Sequence, residues 1–172
     1  MGQTTFSGPV KSLAGFISAG VSNSVTTAVG ATLDVANYAG KQIYYTSTAA
    51  STFTLPTVNT SSPSDPTDPN QSNNYGATFE FVLSTTVTGN FIVKVNSSND
   101  TVVGTAILGS GTTALVFSTA TASDTITLNG TTTGGVGGAS VKATVVGENR
   151  YKVEVVSGAT GALATPFSAT VS

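Results

Sequence analysis

Four glycines fall within five positions, Gly134, Gly135, Gly137 and Gly138, inside the stretch TLNGTTTGGVGGASVKATVV (127–146). Glycine runs this dense let backbone N–H groups close in on an anion, so phosphate binding is the chemistry they raise. The neighbouring residues argue against it. The G-x-x-x-x-G-K-[ST] spacing is absent, and Gly135, Gly137 and Ser140 miss G-x-G-x-x-G. The SVKATVV segment behind the glycines alternates as a strand does, so no helix N-terminus offers its dipole to a phosphate. The expectation is a wide turn or bulge where chain segments pass closely, with no cofactor.

Other reactive chemistry is equally thin. The chain has no His and no Cys, which removes the commonest general base and the strongest nucleophile. No Ser-x-x-Lys occurs; Lys11 and Ser12 are merely adjacent. Paired carboxylates could hydrolyse glycosides, and the eight available are Asp34, Asp65, Asp68, Glu80, Asp100, Asp124, Glu148 and Glu154. Asp65 and Asp68 sit among prolines, Glu80 and Glu154 read as outward strand positions, and Glu148 falls in a hairpin turn. None stands in a stretch that marks it as buried, so the chain is not expected to be an enzyme. Asp100 and Asp124 each precede a Thr at the start of a strand, where oxygen-rich turns can hold Ca²⁺. One carboxylate per turn is too few, so each is read as the cap of an Asx turn and no metal site is expected.

Composition narrows the function classes further. Only 8% of the 172 residues are charged, against about 25% in ordinary soluble domains. Lys11, Lys41, Lys94, Lys142, Arg150 and Lys152 are scattered singly and the net charge is −2, so there is no basic footprint for nucleic acid. No apolar run reaches the roughly 18 residues of a transmembrane helix, so no membrane partner is expected. SLAGFISAGVSNS (12–24) is broken by Gly15 and Gly20 and is not read as a signal peptide. The 39% of hydrophobic residues is sufficient for a core.

The elements that would position these residues are strands. ATFEFVLST (77–85) places Phe79, Phe81 and Leu83 on one face and Glu80 on the other. NFIVKVNS (90–97) does the same with Phe91, Val93 and Val95 against Lys94, and YKVEVVSG (151–158) with Tyr151, Val153 and Val155 against Lys152 and Glu154. That alternation predicts antiparallel sheet with one buried and one wet face. GKQIYYT (40–46) and STFTLP (51–56) read as a first hairpin. TVVGTAIL (101–108), TALVFST (113–119), DTITLNG (124–130) and SVKATVVG (140–147) supply further strands, the last turning through GENR into the Tyr151 strand. The fold class is therefore all-β, an antiparallel sandwich, jelly roll or small barrel of about nine strands. Residues 1–36 carry few large side chains and read as an extended arm, with room for a short helix around TLDVANYAG; residues 37–172 form the body. Within it, 57–75 holds three Pro and two Asp among Ser, Thr and Asn and reads as a long exposed loop.

Taken in order, several of these pieces resemble small structural virion proteins of tailed bacteriophages, particularly those of marine bacteria and cyanobacteria. TTFSGPVKSLAGF (4–16) is similar to their opening F/Y-S-G-P-V segment with a Gly-Phe shortly after. TFTLPTV and YGATFEFVLS resemble their I-T-L-P strand and Gly-x-x-Phe-x-Phe strand, and the segment from Asp124 to Phe167 resembles their closing unit, which ends in T-P-F. The likeness spans most of the chain. It departs at Tyr151, where Trp is frequent, and in the proline-rich 57–75 segment.

The resemblance implies a capsid decoration (cement) protein on the exterior of the virion, a homotrimer whose partners are the major capsid protein and itself. Residues of the arm would make the capsid contact, with Phe6, Pro9, Val10, Leu13, Phe16 and Ile17 as the candidate side chains. A tail fibre or appendage is the competing location, although neither a repeat nor a heptad is present. The alternative outside virion architecture is a carbohydrate- or receptor-binding β-module, for which Tyr38, Tyr44, Tyr45 and Tyr75 are the candidate stacking residues.

Overall fold

A computed structural model describes residues 24–60 and 73–171. The chain is mostly β. Its strands are β1 (Ser24–Thr27), β2 (Gln42–Tyr45), β3 (Ser51–Thr54), β4 (Thr78–Leu83), β5 (Phe91–Lys94), β6 (Thr101–Ser110), β7 (Thr113–Ser118), β8 (Thr125–Leu128), β9 (Ser140–Gly147), β10 (Arg150–Gly158) and β11 (Phe167–Ser168). A single helical turn, α1 (Val35–Tyr38), lies between β1 and β2. Seven strands form one sheet in the order β1-β2-β4-β9-β10-β6-β7, and four form a second in the order β11-β8-β5-β3. Neither order closes on itself, so the barrel alternative is not met.

Both sheets are mixed, which corrects the antiparallel expectation. The pairs β1/β2, β2/β4, β6/β10 and β3/β5 run parallel. The reason lies in how the chain visits the sheets. β2 and β4 belong to the larger sheet and β3, between them in sequence, to the smaller. Two successive reversals return the chain to its first direction, so β2 and β4 meet in parallel. The same logic sets β3 beside β5. The expected hairpin of GKQIYYT and STFTLP is thus replaced by two strands in different sheets, whereas the GENR hairpin between β9 and β10 forms as expected.

Alternating side chains of both sheets enter one core. Phe79, Phe81 and Leu83 of β4, Phe91 and Val93 of β5 with Val95 just after it, and Tyr151, Val153 and Val155 of β10 are all buried, as their spacing predicts. Four rings lock the sheets together: Tyr45 and Phe81 from the larger meet Phe53 and Phe91 from the smaller. Their centroids lie 5.1 to 6.0 Å apart in tilted or edge-on arrangements, the geometry the ring quadrupole favours.

The first strand begins inside the segment read as an arm. β1 pairs with β2, Leu33 is buried in the core, and Asp34 caps α1 by accepting from the Asn37 N–H at 2.8 Å. Residues 24–36 are therefore built into the body. The remainder of that segment, with Phe6, Pro9, Val10, Leu13, Phe16 and Ile17, lies outside the described residues. So does 61–72 of the proline-rich loop, whose foot is clasped by buried Asn74. Its amide donates to the Thr57 carbonyl at 2.9 Å, and its carbonyl accepts from the Asn59 N–H at 2.7 Å.

Candidate interaction surface

Four successive backbone donors of the glycine cluster, from Gly135 to Gly138, are taken up within the fold. The Gly135 N–H donates to Ser157 Oγ (2.7 Å), Val136 to the Gly158 carbonyl (3.2 Å), Gly137 to Thr86 Oγ1 (3.0 Å) and Gly138 to the Leu83 carbonyl (2.7 Å). The segment is a crossing point where the chain leaving β8 passes the ends of β4 and β10. Asn129 sets its entry: the side-chain carbonyl accepts from the N–H groups of Thr131, Thr132 and Thr133 at 2.8 to 3.1 Å. The expected close turn is present, and its amides from Gly135 to Gly138 are spent on the fold.

The carboxylates are placed singly. Glu80, Lys142 and Glu154 are cross-strand neighbours on the outer face of the larger sheet, alternating in sign. Gln42 donates to Glu80 at 3.1 Å, and Lys152 pairs with Glu154 at 2.7 Å, a contact that holds the Glu154 carboxyl below its usual range. Such an exposed ladder stabilises little. Asp100 and Asp124 differ from expectation, because both are buried and neither acts as a local turn cap. Asp124 accepts from the Thr170 and Val171 N–H groups at 2.8 and 3.0 Å, tying the C-terminal segment to β8. Asp100 accepts from the Val58 N–H at 3.0 Å, while its Oδ1 has no partner within the protein. Burial pushes its carboxyl up from the usual range, against the lowering effect of the Val58 bond. Among the described residues, no three His, Cys, Asp or Glu side chains gather in a way that could hold a metal ion.

What the surface does offer is an uncharged edge. From Thr101 to Ser123 the sequence contains no charged residue, and this segment folds as the β6–β7 hairpin. β7 ends the larger sheet, so one of its sides has no strand beside it among the described residues. Val156, Ile107 and Val116 are register neighbours across β10, β6 and β7, and are 56, 48 and 66% exposed. On the other face of β7, Leu115 is also exposed and lines a shallow depression of about 250 Å³ with Thr113 and Leu163. The outer face of the sheet is thus divided, charged over β4, β9 and β10 and apolar towards β7.

Exposed edges normally carry a Lys, a Pro, a bulge or a covering segment. The β3 edge has such a cover, since the Leu33 N–H donates to the Thr54 carbonyl and the Thr54 N–H to that of Ala31. β7 has none of these among the described residues: Thr113–Ser118 reads TALVFS and its register with β6 is unbroken. The strand itself is legible in the sequence, and its importance is not. The uncharged run is the signal that points to it, but that run alone does not say that β7 stands at the rim.

The tyrosines separate by burial. Tyr45 lies in the core and donates to the Ala49 carbonyl at 2.6 Å, which removes it as a sugar-stacking candidate. Tyr38 packs partly against the core, and Tyr44 is half-buried with its hydroxyl on Gln42 at 2.8 Å. Tyr75, at the foot of the proline-rich loop, is 62% exposed.

No protein-family model matches this chain, and no curated protein or solved structure is significantly similar to it.

Proposed function

We propose that the chain is a structural protein of a bacteriophage virion, acting as a decoration protein that binds and stabilises the head lattice from outside. The observation that carries a contact role rather than catalysis is the open, uncharged β7 edge with Ile107, Val116 and Val156 beside it. Apolar, unprotected strand edges fit a protein whose work is adhesion to other chains. The particle itself is supplied by the likeness of TTFSGPVKSLAGF, TFTLPTV and the segment closing in TPF to tailed-phage virion proteins. The two sheets are read as a sandwich body. The segment before β1, with Phe6, Pro9, Val10, Leu13, Phe16 and Ile17, is read as the part that grips the major capsid protein.

Stabilisation in this reading is mass action: a protein that binds the assembled lattice and not its dissociated subunits shifts the balance towards the intact shell. The direct test is a binding assay on undecorated heads with the full chain and with residues 1–20 deleted. Full-length protein should sediment with the heads and the truncated protein should not, while keeping its far-ultraviolet dichroism. Equal binding by both would remove the arm from the mechanism, and no binding by either would remove decoration. Light scattering on the purified chain reads the oligomeric state: the resemblance implies a homotrimer, and a dimer would replace that part of the reading. Exposed Tyr75 favours the receptor-binding alternative, and glycan binding lost on Tyr75→Ala would replace the present reading.

A further inference from the structure

We infer that β7 is a self-complementary docking edge, and that two copies of this chain join there by antiparallel pairing about a two-fold axis through Val116. This goes beyond a general adhesive role, because it fixes the partner, the symmetry and the register.

The hydrogen-bonding pattern of the hairpin decides which groups are available. β6 and β7 are joined by the two-residue turn Gly111–Thr112, with Ser110 opposite Thr113. Antiparallel pairs alternate between hydrogen-bonded and non-hydrogen-bonded, and the Thr119 N–H donating to the Gly104 carbonyl at 3.1 Å fixes the phase. Thr113, Leu115 and Phe117 therefore direct their backbone groups to β6. Ala114, Val116 and Ser118 direct theirs to the open side.

Those outward residues are symmetric about Val116. Two β7 strands laid antiparallel would set Val116 opposite the partner's Val116 and Ala114 opposite the partner's Ser118, each in a hydrogen-bonded pair. The row Val156–Ile107–Val116 would then run on into its own copy, giving an apolar stripe across both sheets. Self-pairing sets Val116 against its own duplicate, so a charge at the centre of the strand would meet a like charge. The run from Thr101 to Ser123 has none. A partner of different sequence would gain from a complementary charge here, and the edge offers it nothing of that kind. Three-fold contact, by contrast, brings two different patches together and makes no use of this self-complementarity.

Only one short strand lies at the centre of this contact, so the interface falls at the small end of specific ones and association should depend on concentration. The test is sedimentation equilibrium on the full chain from about 1 to 300 μM, with amide hydrogen exchange read residue by residue. The expected result is a rise to twice the chain mass. Protection of the Ala114, Val116 and Ser118 amides should grow with concentration, while Leu115 and Phe117 stay protected throughout. Val116→Lys should weaken dimerisation at least tenfold with little change in thermal unfolding, since the side chain is already exposed. Ala114→Pro, which deletes an outward N–H and no β6 bond, should do the same.

A monomer at every concentration, or a trimer indifferent to Val116→Lys, overturns the inference. So does concentration-independent protection of the outward amides that disappears when residues 1–23 are removed, because the chain's own N-terminal segment would then occupy the edge. None of these outcomes bears on whether the protein binds phage heads, so the two ideas fail separately.

Discussion

Tyr151 on β10 donates a 2.7 Å hydrogen bond to the carbonyl of Pro56, 95 residues earlier in the chain, joining the larger sheet to the foot of the proline-rich loop. Burial, and then the nearby Asp100 charge, push the phenol well above its usual range, so it remains a donor at any ordinary pH. Tyr151→Phe keeps the ring and deletes the bond, leaving a buried acceptor without its partner. The expected loss is about 1–2 kcal/mol in urea unfolding, with an unchanged m-value.

Asp100 gives the fold a pH dependence of opposite sign to that of an ordinary salt-bridged carboxylate. Its folded pKa lies above the usual 3.8, because burial penalises the charged form more than the Val58 bond favours it. The native state therefore holds the proton more tightly than the unfolded chain. The corresponding stability is present below about pH 4 and is lost as pH rises through the folded value. Unfolding free energies of Asp100→Asn and the parent, measured from pH 3 to 7, should move in the variant's favour as pH rises. A difference that stays flat would mean that Asp100 titrates normally in the folded protein.

Asp124 clasps the C-terminal segment through Thr170 and Val171 and accepts the Thr125 hydroxyl at 2.7 Å. Asp124→Ala leaves two backbone donors to find water and should cost about 2–3 kcal/mol. Hydrogen exchange should show the Thr170 and Val171 amides losing protection before any in β4 or β9. Uniform loss across the sheet would indicate global rather than local release.

Two neighbouring glycines should behave differently. Gly135 has φ +107°, and a Cβ there would sit 2.7 Å from Val87 Cγ2 and 2.9 Å from the Gly130 nitrogen. Gly135→Ala combines a strained backbone with a collision and should destabilise by about 1–3 kcal/mol. At Gly137 the nearest atoms to an added Cβ are 3.4 Å away, so Gly137→Ala should stay within roughly 0.5 kcal/mol. Thermal melts of the pair decide whether close packing, rather than glycine content, is what this crossing requires.

The side-chain period by itself sets a great deal of this protein. Phe79, Phe81, Leu83, Phe91, Val93, Tyr151, Val153 and Val155 face the core because alternate positions of a strand must face one way, a rule local to each segment. The turn chemistry of GENR specifies one hairpin for the same reason, since its partners are only a few residues apart. The absence of charge from Thr101 to Ser123 is equally plain in the sequence.

Partnership is decided elsewhere. Which strand lies beside which depends on hydrogen bonds between distant segments, and β2 and β3 carry nothing in their own residues to send them to different sheets. Asp100 and Asp124 read locally as surface turn residues, but segments 42 and 46 residues away fold over them and supply their donors. β7 is an unbroken apolar run from Ala114 to Phe117, yet almost all of it is exposed, because it stands last in the sheet order with nothing beyond it among the described residues. The sequence determined that this strand would be apolar and uncharged; only the tertiary structure placed it at an open edge, where those properties become a surface.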